Sequence, residues 1–564
     1  MFEKIISTAE YLVWSFGIPI AGEEIPFVII SLLGTGLFLT LRLGFLQIRA
    51  LAHGFAVASG RWDDPNAKGD VSSFQALTTA LSATVGIGNI AGVAIAIHWG
   101  GPGALFWMWM TAVLGMVVKF AEVTLAMMHR EIEEPDEKYA SLGTVSGGPM
   151  YYIEKGLGRG WRPVAAFYAF ILIMTSLLGS NATQANTIAD NVKAEFGIAT
   201  WISGLVTASL VALVALGGIR RIGRVTSILS PAMAVLYITG ALIILGLNFG
   251  DVPAAMALIL SEAFNPTAGV AGTGTGAFLV TLMWGVRRGL FSNEAGQGSA
   301  PIAHAAAQTD EPVAEGVVAL IGPFIDTIVI CSMTGLVLIV TGVWKDRVPT
   351  DLELSGGDSS YIAISDSGEP EVVDPPAEIV YTDGVPSNGN VFFAWHEVAV
   401  EKVYLDEEHQ RPFNGTLNPG AGRAMTTNGE ELTRLYGLAA ESGAPLTRLA
   451  FERVLGPWGG WLVVVSVFLF GLSTAISWSY YGDRSVKYLF GRRAILPYRF
   501  IFVAAHFAGA VVAMTTVWRV GDIFTGLVTF PNLLALVLLS GTVAKATKSY
   551  FERRPWLEHA REKK

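Results

Sequence analysis

The chain has 564 residues, 52% of them hydrophobic and only 15% charged, with a formal net charge of −9 and a mean hydropathy of +0.49. Soluble domains carry about 25% charged residues, so most of this chain is solvated by lipid, and a water-soluble enzyme or a basic nucleic-acid binder is excluded. The single cysteine, Cys331, lies inside an apolar run, which removes a disulfide framework and any cysteine-based metal site.

Residues 1–17, "MFEKIISTAEYLVWSFG", are too polar and lack the small-residue pattern of a cleavable signal; they read as a short amphipathic helix on the membrane surface. Spans of about 20 apolar residues cross a bilayer. They are predicted near 24–46, 73–97, 103–128, 163–186, 200–218, 226–247, 273–299, 315–343, 456–481, 497–517 and 522–546, about eleven transmembrane helices in an all-α polytopic membrane protein. Alternate loops are basic: Arg42, Arg49, Arg61 and Lys68; then Arg130, Lys138, Lys155, Arg159 and Arg162; then Arg220, Arg221 and Arg224; then Arg484, Lys487, Arg492, Arg493 and Arg499; and finally the tail from Lys545 to Lys564. The opposite loops offer little beyond Lys193 and Arg519. The positive-inside rule then places the N-terminus outside and the C-terminus in the cytoplasm of a bacterial-type inner membrane.

Between the eighth and ninth spans, residues 345–453 carry 19 Asp and Glu against 8 Lys and Arg, a net of −11. By the orientation above this acidic insertion is extracytoplasmic, and alternation in "NVFFAWHEVAVEKVYL" predicts some strand within it.

Two spans contain residues that a membrane helix resists. In "TALSATVGIGNIAGVAIAI", residues 78–97, Thr84, Gly86, Gly88 and Asn89 interrupt an apolar run. Each glycine costs a helix interior about 1 kcal/mol against alanine. In "LVTLMWGVRRGLFSNEAGQGSAP", residues 279–301, Gly289, Gly296 and Gly298 surround Ser292, Asn293 and Glu294. Non-helical backbone at that depth survives only where it is buried in protein or lines a cavity. Two such spans, each in a five-helix block, predict a 5+5 inverted repeat with two broken helices. The blocks are 73–247 and 273–546, the second interrupted by the insertion. Residues 1–48 form a surface helix and an extra span, and 547–564 a cytoplasmic tail. Broken helices expose N–H groups that suit a carboxylate and C=O groups that suit an ammonium or a sodium ion, so together they would clamp a zwitterion. Lys119 and Glu122, at i and i+3, read as a structural pair.

"GGPGALFWMWMTAVLG" (100–115), "SGGPMYYIEKGLG" (146–158) and "RRGLFSNEAGQGSAP" (287–301) closely resemble the alanine/glycine:cation symporter family, within the wider group that shares the neurotransmitter:sodium symporter fold. The resemblance covers essentially all eleven spans and not the acidic insertion. It implies a secondary active transporter that imports a small neutral amino acid, alanine or glycine, by sodium symport through alternating access. It also implies site residues. Thr84 with the amides around Gly86 and Gly88 would receive the carboxylate. The carbonyls of Ser82, Val85 and Phe470 and the hydroxyls of Ser473 and Thr474 would hold sodium. Asn89 would offer an oxygen to substrate or to a second ion. The segment Phe291, Ser292, Asn293 and Glu294 would take the ammonium through backbone carbonyls, and Gln184 and Trp478 would shape the pocket. Arg287 or Arg288 would form an outer gate with Asp522. No cofactor beyond Na+ and no nucleic-acid partner is expected, and no nucleophile–base pair suggests an enzyme. A proton-coupled carrier, with Glu294 as the titrating group, and a membrane sensor using the insertion are the other readings left open.

Overall fold

The fold was taken from a computed structural model, described for residues 2–20, 23–62, 67–134, 143–266, 277–355, 359–364, 370–387, 391–512 and 514–557. The expected block start at 273, the loop residue Lys138 and the end of the basic tail lie outside the described residues.

Among the described residues, seven helices are long and apolar enough to cross a membrane: Gly103–His129, Arg159–Phe196, Gly218–Leu247, Pro312–Thr341, Pro457–Phe490, Arg492–Val511 and Val517–Leu557. An eighth span is a bent pair, Ser73–Thr84 and Ile87–Gly100, whose axes diverge by 59°. Phe27–Arg42 and Thr200–Ala215 are shorter apolar helices, and Ala277–Asn293 is a further helix that ends in the second break. The N-terminal Phe2–Trp14 helix matches the amphipathic segment expected there.

The bent pair shows how local sequence sets its ends. Ser72 Oγ accepts from the Gln75 N–H at 3.2 Å while Gln75 Oε1 accepts from the Ser72 N–H at 3.2 Å, a reciprocal cap that starts the helix. It stops at Thr84, where Val85 leaves helical geometry (φ −74°, ψ 85°). Two other spans contain a π-helical stretch, Thr175–Ala182 and Phe324–Cys331. Such wide turns often occur at functional sites.

The helices share one continuous apolar core, while the insertion has its own, built on Leu352, Phe393, Trp395, Phe413, Leu417 and Leu435. Among its described residues it forms three antiparallel sheets. Val391–Trp395 pairs with both Ser359–Ile364 and Val398–Ala399, so the alternation in the sequence does correspond to strands. The insertion rests on the helices: the His98 ring Nε2 lies 3.1 Å from the His396 carbonyl. Since Pro312–Thr341 runs between the loop at Glu311 and the insertion, and Arg553 near the end of the C-terminal helix binds Glu311 through two bonds of 2.8 and 2.9 Å, the insertion and the C-terminal end of that helix mark opposite faces.

Candidate functional site between two broken helices

The first break is closed by a side chain. The Gly86 N–H donates to Asn89 Oδ1 at 2.9 Å, replacing the helical partner that the break removes. Asn89 Nδ2 reaches across to Ser292 Oγ (3.1 Å), Asp326 Oδ1 (2.6 Å) and the Asp326 carbonyl (3.1 Å). Ser292 Oγ donates to Asp326 Oδ2 at 2.8 Å. Asn89 thus joins both breaks to the π-helical stretch, behind the cavity. The Asn89 and Ile90 carbonyls accept from Thr334 (2.7 Å) and Thr447 (3.1 Å).

The second break falls among the glycines that the sequence singled out. The helix continues through Asn293, and the chain leaves it over residues 294–299. Glu294 is left-handed at φ 56°, followed by Gly296 at φ 90° and Gly298 at φ 75°. A left-handed side-chain residue costs roughly 1–2 kcal/mol. Glu294 is held there by both carboxylate oxygens, which accept from Trp478 Nε1 (2.8 Å) and Ser299 Oγ (2.5 Å). The amides that would continue the helix go elsewhere: Ala295 N–H to Asn293 Oδ1 (3.0 Å), Gly296 N–H to Glu122 Oε1 (3.1 Å) and Gln297 N–H to the Glu294 carbonyl (3.1 Å). The carbonyls of Phe291, Ser292 and Asn293 therefore lack helical partners, with Glu294 just beyond them.

Glu122 corrects an expectation. Among the described residues it forms no ion pair with Lys119. Its Oε1 instead accepts from Gly296 N–H, Gly298 N–H (3.2 Å) and Asn532 Nδ2 (2.6 Å). A carboxylate accepting backbone N–H groups substitutes for the lost helical carbonyls, so Glu122 holds the second break open.

A small cavity lies between the breaks, lined by Ala83, Thr84, Gly86, Gly88, Ser180, Gln184, Phe291, Glu294, Gln297, Thr474 and Thr525. Of the expected substrate residues, Thr84, Gly86, Gly88, Gln184, Phe291 and Glu294 line it. Trp478 stands behind Glu294, and Asn89, Ser292 and Asn293 stand behind the breaks. Gln184 Oε1 accepts from the Ile87 N–H at 3.3 Å. A Cβ on Gly88 would sit 3.1 Å from the Phe291 ring, and one on Gly86 would fall 2.5 Å from Thr474 Oγ1. Both glycines are therefore close-approach positions. The Thr84 hydroxyl bonds back to the Ala80 and Leu81 carbonyls at 3.2 Å.

Four of the five expected cation ligands form one oxygen cluster. Ser473 Oγ lies 3.3 Å from the Ser82 carbonyl and 3.0 Å from that of Phe470, and Thr474 Oγ1 lies 3.1 Å from the Ser82 carbonyl. Val85 sits at the break beside them, its N–H donating to the Leu81 carbonyl at 2.7 Å. Neutral hydroxyl and carbonyl oxygens suit a hard monovalent cation.

Towards the insertion the cavity is covered by charge and aromatic rings. Asp522 Oδ2 is 2.6 Å from Arg287 Nη2 and 3.3 Å from Arg288 Nη2. The Arg288 guanidinium lies over the rings of Trp284, Phe291 and Trp518 at 5.4, 5.7 and 5.4 Å. Its Nε and Nη1 find no partner among the described residues.

Sequence reasoning missed Asp326, Ser180, Gln297 and Thr525, and read Glu122 only as a structural partner of Lys119. Asp326 had a signal: a carboxylate inside "GPFIDTIVIC" is a functional candidate by default at membrane depth. The others became site residues only through packing.

The chain is similar to known transporters along nearly its whole length. The profile of the Sodium:alanine symporter family matches residues 10–364 and 427–564. The chain is 37% identical over 557 residues to the sodium/alanine symporter AgcS of Methanococcus maripaludis, covering 98% of each. It is 31% identical to the putative sodium/proton-dependent alanine carrier protein YrbD of Bacillus subtilis, covering 93% of this chain and 89% of that one. To the probable sodium/glutamine symporter GlnT of Bacillus subtilis it is 30% identical, covering 98% and 92%. Among solved structures, MhsT in complex with L-phenylalanine superposes with a TM-score of 0.50 at 12% identity, over 85% of this chain and 92% of that one, a likeness of fold. With two broken helices around a small polar cavity, and a profile that spans nearly all its helices, the chain belongs to the sodium:alanine symporter family, whose members are membrane transporters of the symport type and not enzymes.

Proposed function

We propose that this protein imports a small neutral amino acid, alanine or glycine, together with sodium, through alternating access around the cavity between its broken helices. The observation that carries this reading is the cavity itself. It offers Phe291 and the Glu294 carboxylate on one wall, Thr84, Gly86 and Gly88 on the other, and the neutral oxygen cluster of Ser82, Phe470, Ser473 and Thr474 at its edge. The ammonium faces residues 291–294, the carboxylate faces Thr84, Gly86 and Gly88, and Gln184 and Trp478 set the pocket shape. Sodium is held by the oxygen cluster with the Val85 carbonyl. Arg287 and Arg288 with Asp522 form the outer gate.

This reading includes eleven spans, arranged as the 5+5 inverted repeat of 73–247 and 273–546 with residues 24–46 outside it, in a bacterial-type inner membrane. The N-terminus and the 345–453 insertion face outward and the C-terminus faces the cytoplasm. One sodium crossing 100 mV brings roughly 2.3 kcal/mol, and a tenfold sodium gradient adds about 1.4 kcal/mol. Together they support about 500-fold accumulation of a neutral zwitterion. Glu294, a buried carboxylate on the cavity wall, favours a proton-coupled carrier as the second reading.

Equilibrium binding of labelled alanine to the solubilised protein tests the proposal. Binding that requires sodium, is competed by glycine and is lost in Thr474→Ala is expected. Sodium-independent binding that strengthens as Glu294 is protonated would favour the second reading.

A further inference from the structure

Residues outside the cavity decide how a ligand leaves it. We infer that Arg130 is the positioning residue that holds the C-terminal face of the cavity shut, by tying together the flanking backbone of both broken helices. The inference rests on the transporter reading above.

Arg130 directly follows the Gly103–His129 helix. Its Nη1 donates to the carbonyls of Ala305 (2.9 Å) and Ala307 (2.8 Å), and its Nη2 to those of Thr309 (2.7 Å) and Lys68 (3.0 Å). Ala305, Ala307 and Thr309 follow the half-helix Ala300–His304 that leaves the second break. Lys68 precedes the half-helix Ser73–Thr84 that enters the first. One planar guanidinium therefore spans two segments that must separate if a ligand is to pass between those half-helices. Among the described residues no carboxylate comes within ion-pair distance of Arg130, and its guanidinium bonds the four carbonyls directly, in charge-assisted bonds roughly twice as strong as neutral ones.

The segments also pair directly. Asp70 N–H donates to the Ala306 carbonyl and Gln308 N–H to the Val71 carbonyl, both at 2.8 Å, and Val71 and Ala307 form a parallel bridge. Gly69 permits that approach, since a Cβ there would fall 2.5 Å from the Gln308 nitrogen. Deeper in, Glu315 Oε2 accepts from Ser73 Oγ at 2.7 Å and Oε1 lies 2.6 Å from His304 Nδ1, joining the same half-helices a second time. The Glu315 contacts are fully buried, whereas Arg130 is only partly buried. Arg130 can exchange its carbonyls for water, as a releasable fastening must.

The test uses the full chain in lipid nanodiscs, read by amide hydrogen exchange and by maleimide labelling of Cys331, the one cysteine, fully buried beside Asn89 and Ser292. Arg130→Gln is expected to raise exchange at residues 70–71 and 305–309 at least tenfold and to speed Cys331 labelling, with sodium-dependent alanine binding within about threefold of the unaltered protein. Gly69→Ala pushes the same segments apart without touching Arg130 and is expected to do likewise, so the test survives if Arg130→Gln fails to fold. Arg130→Lys, whose single ammonium cannot span four carbonyls, is expected to fall between. Unchanged exchange at these segments in a folded Arg130→Gln, or exchange raised evenly over every helix, overturns the inference. Absence of alanine binding by the unaltered protein would instead count against the transporter reading and leave the exchange result standing.

Discussion

Asn89 closes the first break and ties it to the helix that leads into the second. Its oxygen closes the first break through Gly86, and its nitrogen binds Ser292 and Asp326. Removing it orphans a buried N–H and part of a buried carboxylate, each costing about 1–3 kcal/mol. Asn89→Ala is therefore expected to weaken sodium-dependent alanine binding by tenfold or more in equilibrium binding. Thr474→Ala removes one hydroxyl of the oxygen cluster and should raise the sodium concentration needed for half-maximal binding several-fold, with a smaller effect at saturating sodium. Asp522→Asn leaves Arg287 and Arg288 without their shared carboxylate. The outer side should then open more readily, seen as faster hydrogen exchange at the start of the last helix and as lower net uptake. Unchanged exchange there would deny Asp522 a gating role. Much at this scale was legible, because Thr84, Gly86, Gly88, Asn89 and Glu294 are residues that an apolar span would otherwise avoid. Glu122 was not, because its partners Gly296, Gly298 and Asn532 are 174, 176 and 410 residues away. A Lys at i−3 suggested a nearer one.

At the scale of elements, glycine marked the breaks and the fold decided their limits. The first break falls within the expected glycine run. The second begins at Glu294, because helical bonding persists until Asn293 and Glu122 capture the Ala295 and Gly296 amides. Gly298→Ala should be severe: at φ +75° an added Cβ would also fall 2.3 Å from Pro149 and 2.6 Å from the Tyr168 hydroxyl. Loss of alanine binding together with a lowered melting temperature is the expected outcome. An unaffected variant would mean the second break tolerates ordinary backbone. The π-helical stretches left no mark in the apolar pattern, since one extra residue per turn hardly disturbs a run apolar on every side. Yet one supplies Ser180 to the cavity and the other carries Asp326.

For the whole molecule, hydropathy and loop charge defined the class and the shift to acidic, turn-rich sequence isolated the insertion. Its alternating segments proved to be strands around a separate core. How the helices pack was visible only through family resemblance, since lipid-facing and protein-facing apolar residues look alike in composition. The two broken helices enclose a small cavity, with the Arg287–Asp522 cluster on one side and the Arg130 contacts on the other, an arrangement suited to opening one side at a time. If sodium and alanine bind the folded state, each at a hundred times its dissociation constant should stabilise the protein by about 2.7 kcal/mol. Thermal unfolding should therefore shift upward more with both than with alanine alone.

The most direct measurement is uptake of labelled alanine into proteoliposomes holding the unaltered protein, under an inward sodium gradient and separately under an inward proton gradient without sodium. The account predicts concentrative uptake with sodium, competed by glycine and abolished by collapsing the sodium gradient. Uptake driven by protons alone, or no uptake of any small neutral amino acid under either gradient, would contradict it.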